Sequence, residues 1–386
     1  MDKLKIGVIG AGTMGSGIAQ VFAANGHETL LFDADPQMVS KAKKGHSETM
    51  SKLVEKGKIS KEVADKTLSH LKYIASPGEF SECGLVIEAI IENLDIKQKL
   101  FNDIEKIVDE DCILGTNTSS LSVTSIASVC NKPERVIGIH FFNPAPLMPL
   151  VEIVKGVTTI DTTEKKTKEI IDALGKSSVL AKDTPGFIVN RIARPYYGEA
   201  IRIHEEGIAD FATIDAAMKD HGFKMGPFEL MDLIGNDINY TVTETVWSQF
   251  FFDARYKPSL TQKRLFEAKR FGRKSGQGYY SYLPGSEIPA PLKDNVLAEK
   301  IFMRILSMLI NEAADALYLG VASREDIDLA MTKGVNYPKG LLKWCDEIGG
   351  DKILAELAWL KEEYSEERYR PSVLLKKIVK EKRKFY

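Results

Sequence analysis

The sequence predicts an α/β, doubly wound Rossmann-type domain at the N-terminus, followed by two all-α helical domains that are copies of one another. Three observations carry this. A glycine turn joins an apolar strand to a helix, strand and helix patterns alternate to about residue 184, and a helical pattern then recurs at a fixed offset. The expected domains are 1–184, 185–283 and 296–386. A length of 386 residues suits two or three domains. With 44% hydrophobic and 27% charged residues and a net charge of −2, the composition is that of a soluble globular protein, and it speaks against nucleic acid or an anionic membrane as main partner. Four cysteines without a CxxC pair suggest neither a metal site nor a disulfide framework, which fits the cytoplasm. The first strand pattern begins at Leu4, leaving no room for a leader, and no apolar run approaches the ~18 residues of a membrane span.

Residues 4–9 read as a short buried strand, and Gly10-Ala-Gly12-Thr13-Met14-Gly15 leads from it into a helix. Gly10 permits the tight turn, Gly12 lets backbone N–H groups reach a pyrophosphate, and Gly15 allows close helix–strand packing at a helix N-terminus that favours anions. The second strand, 28–33, ends in Asp33, eighteen residues after Gly15. A carboxylate there accepts hydrogen bonds from a ribose and repels a 2′-phosphate, so NAD is favoured over NADP. Residues 36–72 look helical and lysine-rich, and 85–92, 112–116 and 136–139 look like further strands. Val151 to Val154 and Thr158 to Ile160 suggest a strand pair, followed by a helix from Thr163 to Leu174 and a strand at 178–181. In a doubly wound sheet the strand ends form the ligand crevice, which Glu92, Asn117, Ser119 and His140 would face.

The segment from Arg135 to Glu152 holds one histidine and one carboxylate among apolar residues, stiffened by Pro144, Pro146 and Pro149. If its loop folds back, Glu152 can hold His140. A carboxylate on one ring nitrogen fixes the tautomer and raises the basicity of the other, as proton abstraction near neutral pH requires.

Strand signals thin out after Pro185-Gly186. Glu199-Ala-Ile, Gly207-Ile-Ala, Ile214-Asp215-Ala-Ala-Met218 and Tyr256-Lys-Pro258-Ser259 recur as Glu312-Ala-Ala, Gly320-Val-Ala, Ile327-Asp328-Leu-Ala-Met331 and Tyr369-Arg-Pro371-Ser372, all 113 residues on. The linker between the copies, 283–291, is rich in proline.

Gly10-x-Gly12-x-x-Gly15, Glu88-Ala-Ile-Ile-Glu92-Asn93, Asn117-Thr-Ser119-Ser, His140-Phe-Phe-Asn143-Pro144 and Asp183-Thr-Pro-Gly-Phe-Ile-Val-Asn190-Arg191 together resemble the L-3-hydroxyacyl-CoA dehydrogenases. Gly226-Pro-Phe-Glu229 and the stretch from Phe271 to Tyr280 extend the likeness over about residues 3–282. The resemblance implies NAD-dependent, reversible oxidation of (S)-3-hydroxyacyl-CoA to 3-ketoacyl-CoA, short-chain as in 3-hydroxybutyryl-CoA. It implies that His140 and Glu152 match the catalytic dyad, that Ser119 and Asn190 surround the reacting 3-oxygen and thioester, and that Asn143 lies beside the nicotinamide. Glu92, Lys97 and Lys274 match cofactor contacts, with Asn117 and Ser119 on the same crevice, while Thr49 and Lys56 fall where the family grips coenzyme A. Thr49 stands where a serine is expected. Ser119 and Asn190 could equally cap helices, and Glu92, Lys97, Lys274 and Lys56 could be surface charges.

The second helical copy is similar to the arrangement in multifunctional fatty-acid oxidation proteins, which carry a hydratase elsewhere in the chain. A separate enoyl-CoA hydratase partner follows as an expectation, as does packing of the second copy on the first as a pseudo-dimer, with the chain monomeric or a homodimer. Met303-Arg304 replaces Asn190-Arg191 in that copy, so it is expected to bind no substrate. Two rivals remain: a branch similar to gulonate dehydrogenase, acting on a free acid without CoA, and a non-catalytic dinucleotide-binding protein. The lysines on 41–58 speak against the first and the His140–Glu152 pair against the second.

Overall fold

The computed structural model describes residues 3–386, which divide after Asp183 into two compact units. The first is built on eight strands, β1 (Ile6–Ile9), β2 (Thr29–Phe32), β3 (Leu71–Tyr73), β4 (Leu85–Glu88), β5 (Ile113–Thr116), β6 (Val136–Phe141), β7 (Leu150–Lys155) and β8 (Ser177–Lys182). Their order in the sheet is β3-β2-β1-β4-β5-β6-β7-β8, parallel throughout except for the antiparallel β6–β7 pair. The central strands are buried along their whole length and mostly apolar, β4 and β5 ending in the buried polar residues Glu88 and Thr116, because helices cover both faces. These helices are α1 (Thr13–Ala24), α2 (Pro36–Glu55), α3 (Lys61–His70), α4 (Leu94–Ile104), α5 (Val123–Ala127) and α6 (Asp161–Ala173). Ile18, Ala19 and Phe22 of α1 and Ile170 and Ile171 of α6 share one core with Val8, Ile87, Ile139 and Ile153.

Two local expectations fail. Residues 158–160 are not a strand: the Thr159 hydroxyl donates to the Val136 carbonyl and accepts from Gly156 N–H, so the β-branched threonine staples a loop that ends at Ile160, the N-cap of α6. The helical stretch 36–72 breaks at Gly57, and its end, Leu71–Tyr73, becomes the edge strand β3, paired with β2. Propensity there gives way to an open sheet edge.

The second unit, Thr184–Tyr386, is helical: α7 (Val189–Ile192), α8 (Arg194–Glu205), α9 (Phe211–Asp220), α10 (Pro227–Ile234), α11 (Asn236–Gln249) and α12 (Leu260–Glu267), then α13 (Asn295–Tyr318), α14 (Arg324–Gly334), α15 (Leu341–Ile348), α16 (Gly350–Tyr364) and α17 (Val373–Lys380). Helix α13 is buried on nearly every side from Ile301 to Ala316 and packs on α8 and α9 as well as on α15, α16 and α17 of its own half. The two halves therefore share a core within one unit.

Their contacts are reciprocal. Arg191 Nε meets Glu312 Oε1 at 2.5 Å, and 113 positions on, Arg304 Nε meets Glu199 Oε2 at 3.0 Å. Tyr256 donates to Glu312 at 2.6 Å, and Tyr369 donates to Glu199 at 3.0 Å. A residue that touches its own repeat in exchange is the signature of a two-fold interface. No helix among the described residues is long and apolar enough to cross a membrane.

Candidate active site

At the head of β1, Gly10 has φ +102 and donates to the Phe32 carbonyl, which turns the chain sharply toward α1. A Cβ on Gly15 would overlap the Gly10 carbonyl, whereas one on Gly12 would meet nothing within 4 Å. The turn is closed behind and open in front. Asp33, ending β2, accepts from Ala11 N–H at 2.7 Å and Asp35 N–H at 3.0 Å, so its carboxylate is fixed beside the turn. Gly10, Gly12, Asp33, Met38 and Ile91 line a cavity of about 510 Å³. Thr13 lines a second one of about 380 Å³ together with Lys41 and Lys44, and Met14 packs against the apolar core below.

His140 lies on β6 directly opposite Glu152 on β7, and Nδ1 stands 2.7 Å from Glu152 Oε2. The antiparallel pairing places both side chains on one face of the sheet, as cross-strand neighbours must be. Both are buried, Glu152 fully. The loop between them contains exposed Asn143, a cis Asn143–Pro144 peptide, and a close approach of Ala145 and Pro146 to Gly17 of α1. Lys176 pins that loop, donating to the carbonyls of Ala145 at 2.7 Å and Met148 at 2.8 Å. Sequence reasoning did not single out Lys176, and a lone lysine between a helix and a strand carries no signal that would have found it.

The loop after β5 is organised by Glu92. Its Oε1 accepts from the hydroxyls of Thr118 (2.6 Å) and Ser120 (2.9 Å) and from the N–H groups of Ser119 and Ser120. Burial opposes ionisation of Glu92, but the charge of Lys97 and these hydroxyl donors outweigh it and hold the carboxyl below its usual range. Lys97 itself is 1% exposed, clamped by Glu88 at 2.8 Å and Glu92 at 3.2 Å. Its ammonium is shared between both oxygens of Glu88 and Glu92 Oε2. Asn117 Oδ1 accepts from Phe141 N–H at 2.8 Å and ties this loop to the residue after His140. The N-cap of α5 is Ser122, not Ser119. Asp183, which also escaped the sequence-based site, accepts from Ser122, Val123 and Thr124 at that same helix start.

Thr49 and Lys56 are exposed, on α2 and at its C-cap. In the helical unit, Asn190 is half-buried on α7 and its carbonyl accepts from Arg194. Lys274 pairs with Asp237, Nζ to Oδ2 2.7 Å.

Two family profiles match: "3-hydroxyacyl-CoA dehydrogenase, NAD binding domain" over residues 5–184, and "3-hydroxyacyl-CoA dehydrogenase, C-terminal domain" over 186–282 and again over 301–384. The chain belongs to the 3-hydroxyacyl-CoA dehydrogenase family. It is 37% identical to the 3-hydroxyadipyl-CoA dehydrogenase of Escherichia coli K12, over 96% of each chain. It is 42% identical to human mitochondrial hydroxyacyl-coenzyme A dehydrogenase, but over 71% of this chain and 90% of that one. Among solved structures, that of 3-hydroxybutyryl-CoA dehydrogenase from Escherichia coli K12 superposes with a TM-score of 0.93 at 36% identity, covering 98% of both chains. The (S)-3-hydroxybutyryl-CoA dehydrogenase of Ralstonia eutropha gives 0.71 at 37% identity, covering 73% of this chain and all of its own.

Membership makes this an NAD-dependent oxidoreductase of 3-hydroxyacyl-CoA thioesters. The residues present fit the cofactor. The open face of Gly12, the donors at the start of α1 and the anchored Asp33 form a cradle for a pyrophosphate and a ribose.

Proposed function

We propose that His140 is the proton acceptor and Glu152 its orienting partner in oxidation of short-chain 3-hydroxyacyl-CoA, with Gly10, Gly12, Gly15 and Asp33 holding the NAD. The observation that carries this reading is the 2.7 Å bond between His140 Nδ1 and a fully buried Glu152. With Nδ1 engaged, proton exchange falls to Nε2, which takes the proton of the 3-hydroxyl and returns it in the reverse direction. Glu152 stabilises the imidazolium as it forms. NAD, when bound, supplies the two-electron acceptor for C3. Ser119, held through its backbone by Glu92, and Asn190 bond the 3-oxygen and the thioester. Thr49 and Lys56, both exposed, are available to the nucleotide end of coenzyme A.

NADH consumption with acetoacetyl-CoA, beside free acetoacetate and NADPH, tests the reading. Turnover that needs both the thioester and NADH supports it, and turnover of free acetoacetate alone at equal rate would sink it in favour of a CoA-independent enzyme.

The second helical copy takes the place of a dimer partner and leaves the chain a monomer. The reciprocal Arg191–Glu312 and Arg304–Glu199 pairs support this. Truncation after Tyr282 uncovers α8, and sedimentation of that fragment as anything other than a monodisperse monomer is the expected outcome. The enzyme is placed in the cytoplasm, consistent with four buried free cysteines, and beside a separate hydratase that supplies its substrate.

A further inference from the structure

The first helical copy buries a polar cluster that the second lacks. Arg194 opens α8 at 7% exposure, and its Nε donates to the Asn190 carbonyl at 2.8 Å, so the guanidinium reaches back one helical turn toward Asn190. Its Nη1 donates to Thr243 Oγ1 at 3.0 Å and lies 3.5 Å from the Asn239 carbonyl. Gln262 Nε2 closes the group, donating to Asn239 Oδ1 at 2.6 Å and to Thr243 Oγ1 at 3.1 Å. In the register that matches Gly235 to Gly349 and Ser259 to Ser372, the repeats of Arg194, Asn239, Thr243 and Gln262 are Ser307, Ile353, Leu357 and Leu375, each at 0% exposure. That core is closed and apolar but for one hydroxyl, so the scaffold packs there without a charge.

The cluster has donors to spare and no anion. Arg191, Arg255 and Arg304, comparably buried, each meet two carboxylates. Arg202, which meets none, sets both terminal nitrogens on backbone carbonyls at 2.9 Å. Arg194 pairs with no carboxylate among the described residues, and its Nη2 has no hydrogen-bond partner among them. Burial holds its pKa below the usual range, opposed by Tyr197 and Tyr337 rather than by an acid. The Tyr197 ring stacks on the guanidinium, 5.0 Å to the centroid. Two neutral donors beside it, Asn239 Nδ2 and the Tyr337 hydroxyl, are also buried without partners, and the repeat of Tyr337 is Phe223. A buried cation and buried donors that lack acceptors are unfavourable together, and one anion satisfies them all.

We propose that this cluster receives a carboxylate at the end of the acyl chain remote from the thioester, so that the enzyme prefers 3-hydroxyacyl-CoA substrates ending in a carboxylate over those ending in a methyl group. The proposal rests on the reading that Asn190 meets the substrate. Asn190 and Arg194 stand one turn apart, about 6 Å along the helix, a span that a few methylenes cross. A carboxylate there takes a charge-assisted bond from Arg194 Nη2 and neutral ones from Asn239 and Tyr337. A methyl end leaves all three unpaired.

The test uses the full-length protein and compares 3-hydroxyhexanoyl-CoA with the analogue whose terminal methyl is a carboxylate. Affinity is read by calorimetry without NAD, and kcat/KM by NADH formation. The unaltered enzyme favours the carboxylate-ended substrate at least about tenfold in both, the worth of a hydrogen bond to a charged group. Arg194→Met, neutral and of similar length, brings the two substrates to within about threefold of each other. Equal use of the two by the unaltered enzyme overturns the proposal and leaves Arg194 to buried water and the fold. A tenfold preference that survives Arg194→Met overturns it as well. Should Arg194→Met misfold, Tyr337→Phe decides: it lowers the preference about threefold by removing one donor, and an unchanged preference sinks the proposal. Absence of turnover with the affinity ratio intact would strike the catalytic reading and leave this one standing.

Discussion

The two helical halves show which residues serve the fold and which serve the chemistry. In the first, the Asp215 carboxylate accepts from Phe228 and Glu229 N–H at 2.8 and 3.0 Å, and Tyr280 donates to it. In the second, Asp328 accepts from Leu342 and Lys343 at 2.9 and 3.1 Å, and the C-terminal Tyr386 takes the part of Tyr280. Gly235 and Gly349 start α11 and α16 at φ +104 and +103. These devices are the same twice. Asn190 is not, since its repeat is Met303, and Arg255 forks onto Glu312 and Asp315 whereas its repeat Arg368 turns to Glu366. The aspartate that caps a neighbouring helix and the glycine that starts the next one are kept in both copies, whereas Asn190, the residue proposed to meet substrate, and the fork of Arg255 are kept in one.

The comparison can be pressed at four levels. The largest effect belongs to a residue with no counterpart in either helical half: His140→Ala lowers kcat by roughly 10²–10⁴-fold, while NAD binding by calorimetry is unchanged. Loss of NAD affinity in parallel would mean that the histidine is structural. Next come the shared acids. Burial opposes ionisation of Glu312, yet Arg191 and Arg255 outweigh it and keep its carboxyl below the usual range. Glu312→Gln leaves buried guanidinium groups underpaired and costs about 3–5 kcal/mol in urea unfolding. Glu199→Gln should cost nearly as much, and a negligible effect there would break the equivalence of the halves.

Asn190→Met, which makes the first copy resemble the second, reduces kcat/KM about tenfold, the worth of one hydrogen bond to substrate. Met303→Asn should leave turnover untouched; a matching loss would show that both copies take part. The smallest effect is expected at the helix starts. Gly235→Ala and Gly349→Ala each cost about 1–2 kcal/mol because an L side chain is forced into a positive φ, read as equal shifts in unfolding midpoint.

Legibility followed locality. The Gly10–Gly15 turn, Asp33, and the Arg135–Glu152 segment were readable because each is a short contiguous pattern whose chemistry follows from backbone geometry. The repeat was readable because an offset of 113 survives changes of individual residues. Thr158 to Ile160 misled because β-branched residues favour strands and also staple loops. Lys97 was assigned to the cofactor by resemblance alone, and only its burial between Glu88 and Glu92 reveals the work it does in this structure.

The sequence by itself determined the dinucleotide turn, the duplication and which histidine and carboxylate to propose as an acid–base pair. The tertiary structure decided the β6–β7 register that brings His140 to Glu152, the pinning of their loop by Lys176, and the exchange of Arg191–Glu312 for Arg304–Glu199. The physical reason is distance along the chain. Patterns within a few residues are fixed by local backbone geometry, whereas partners 12, 31 or 121 positions apart are chosen by packing, and no single residue's propensity encodes them.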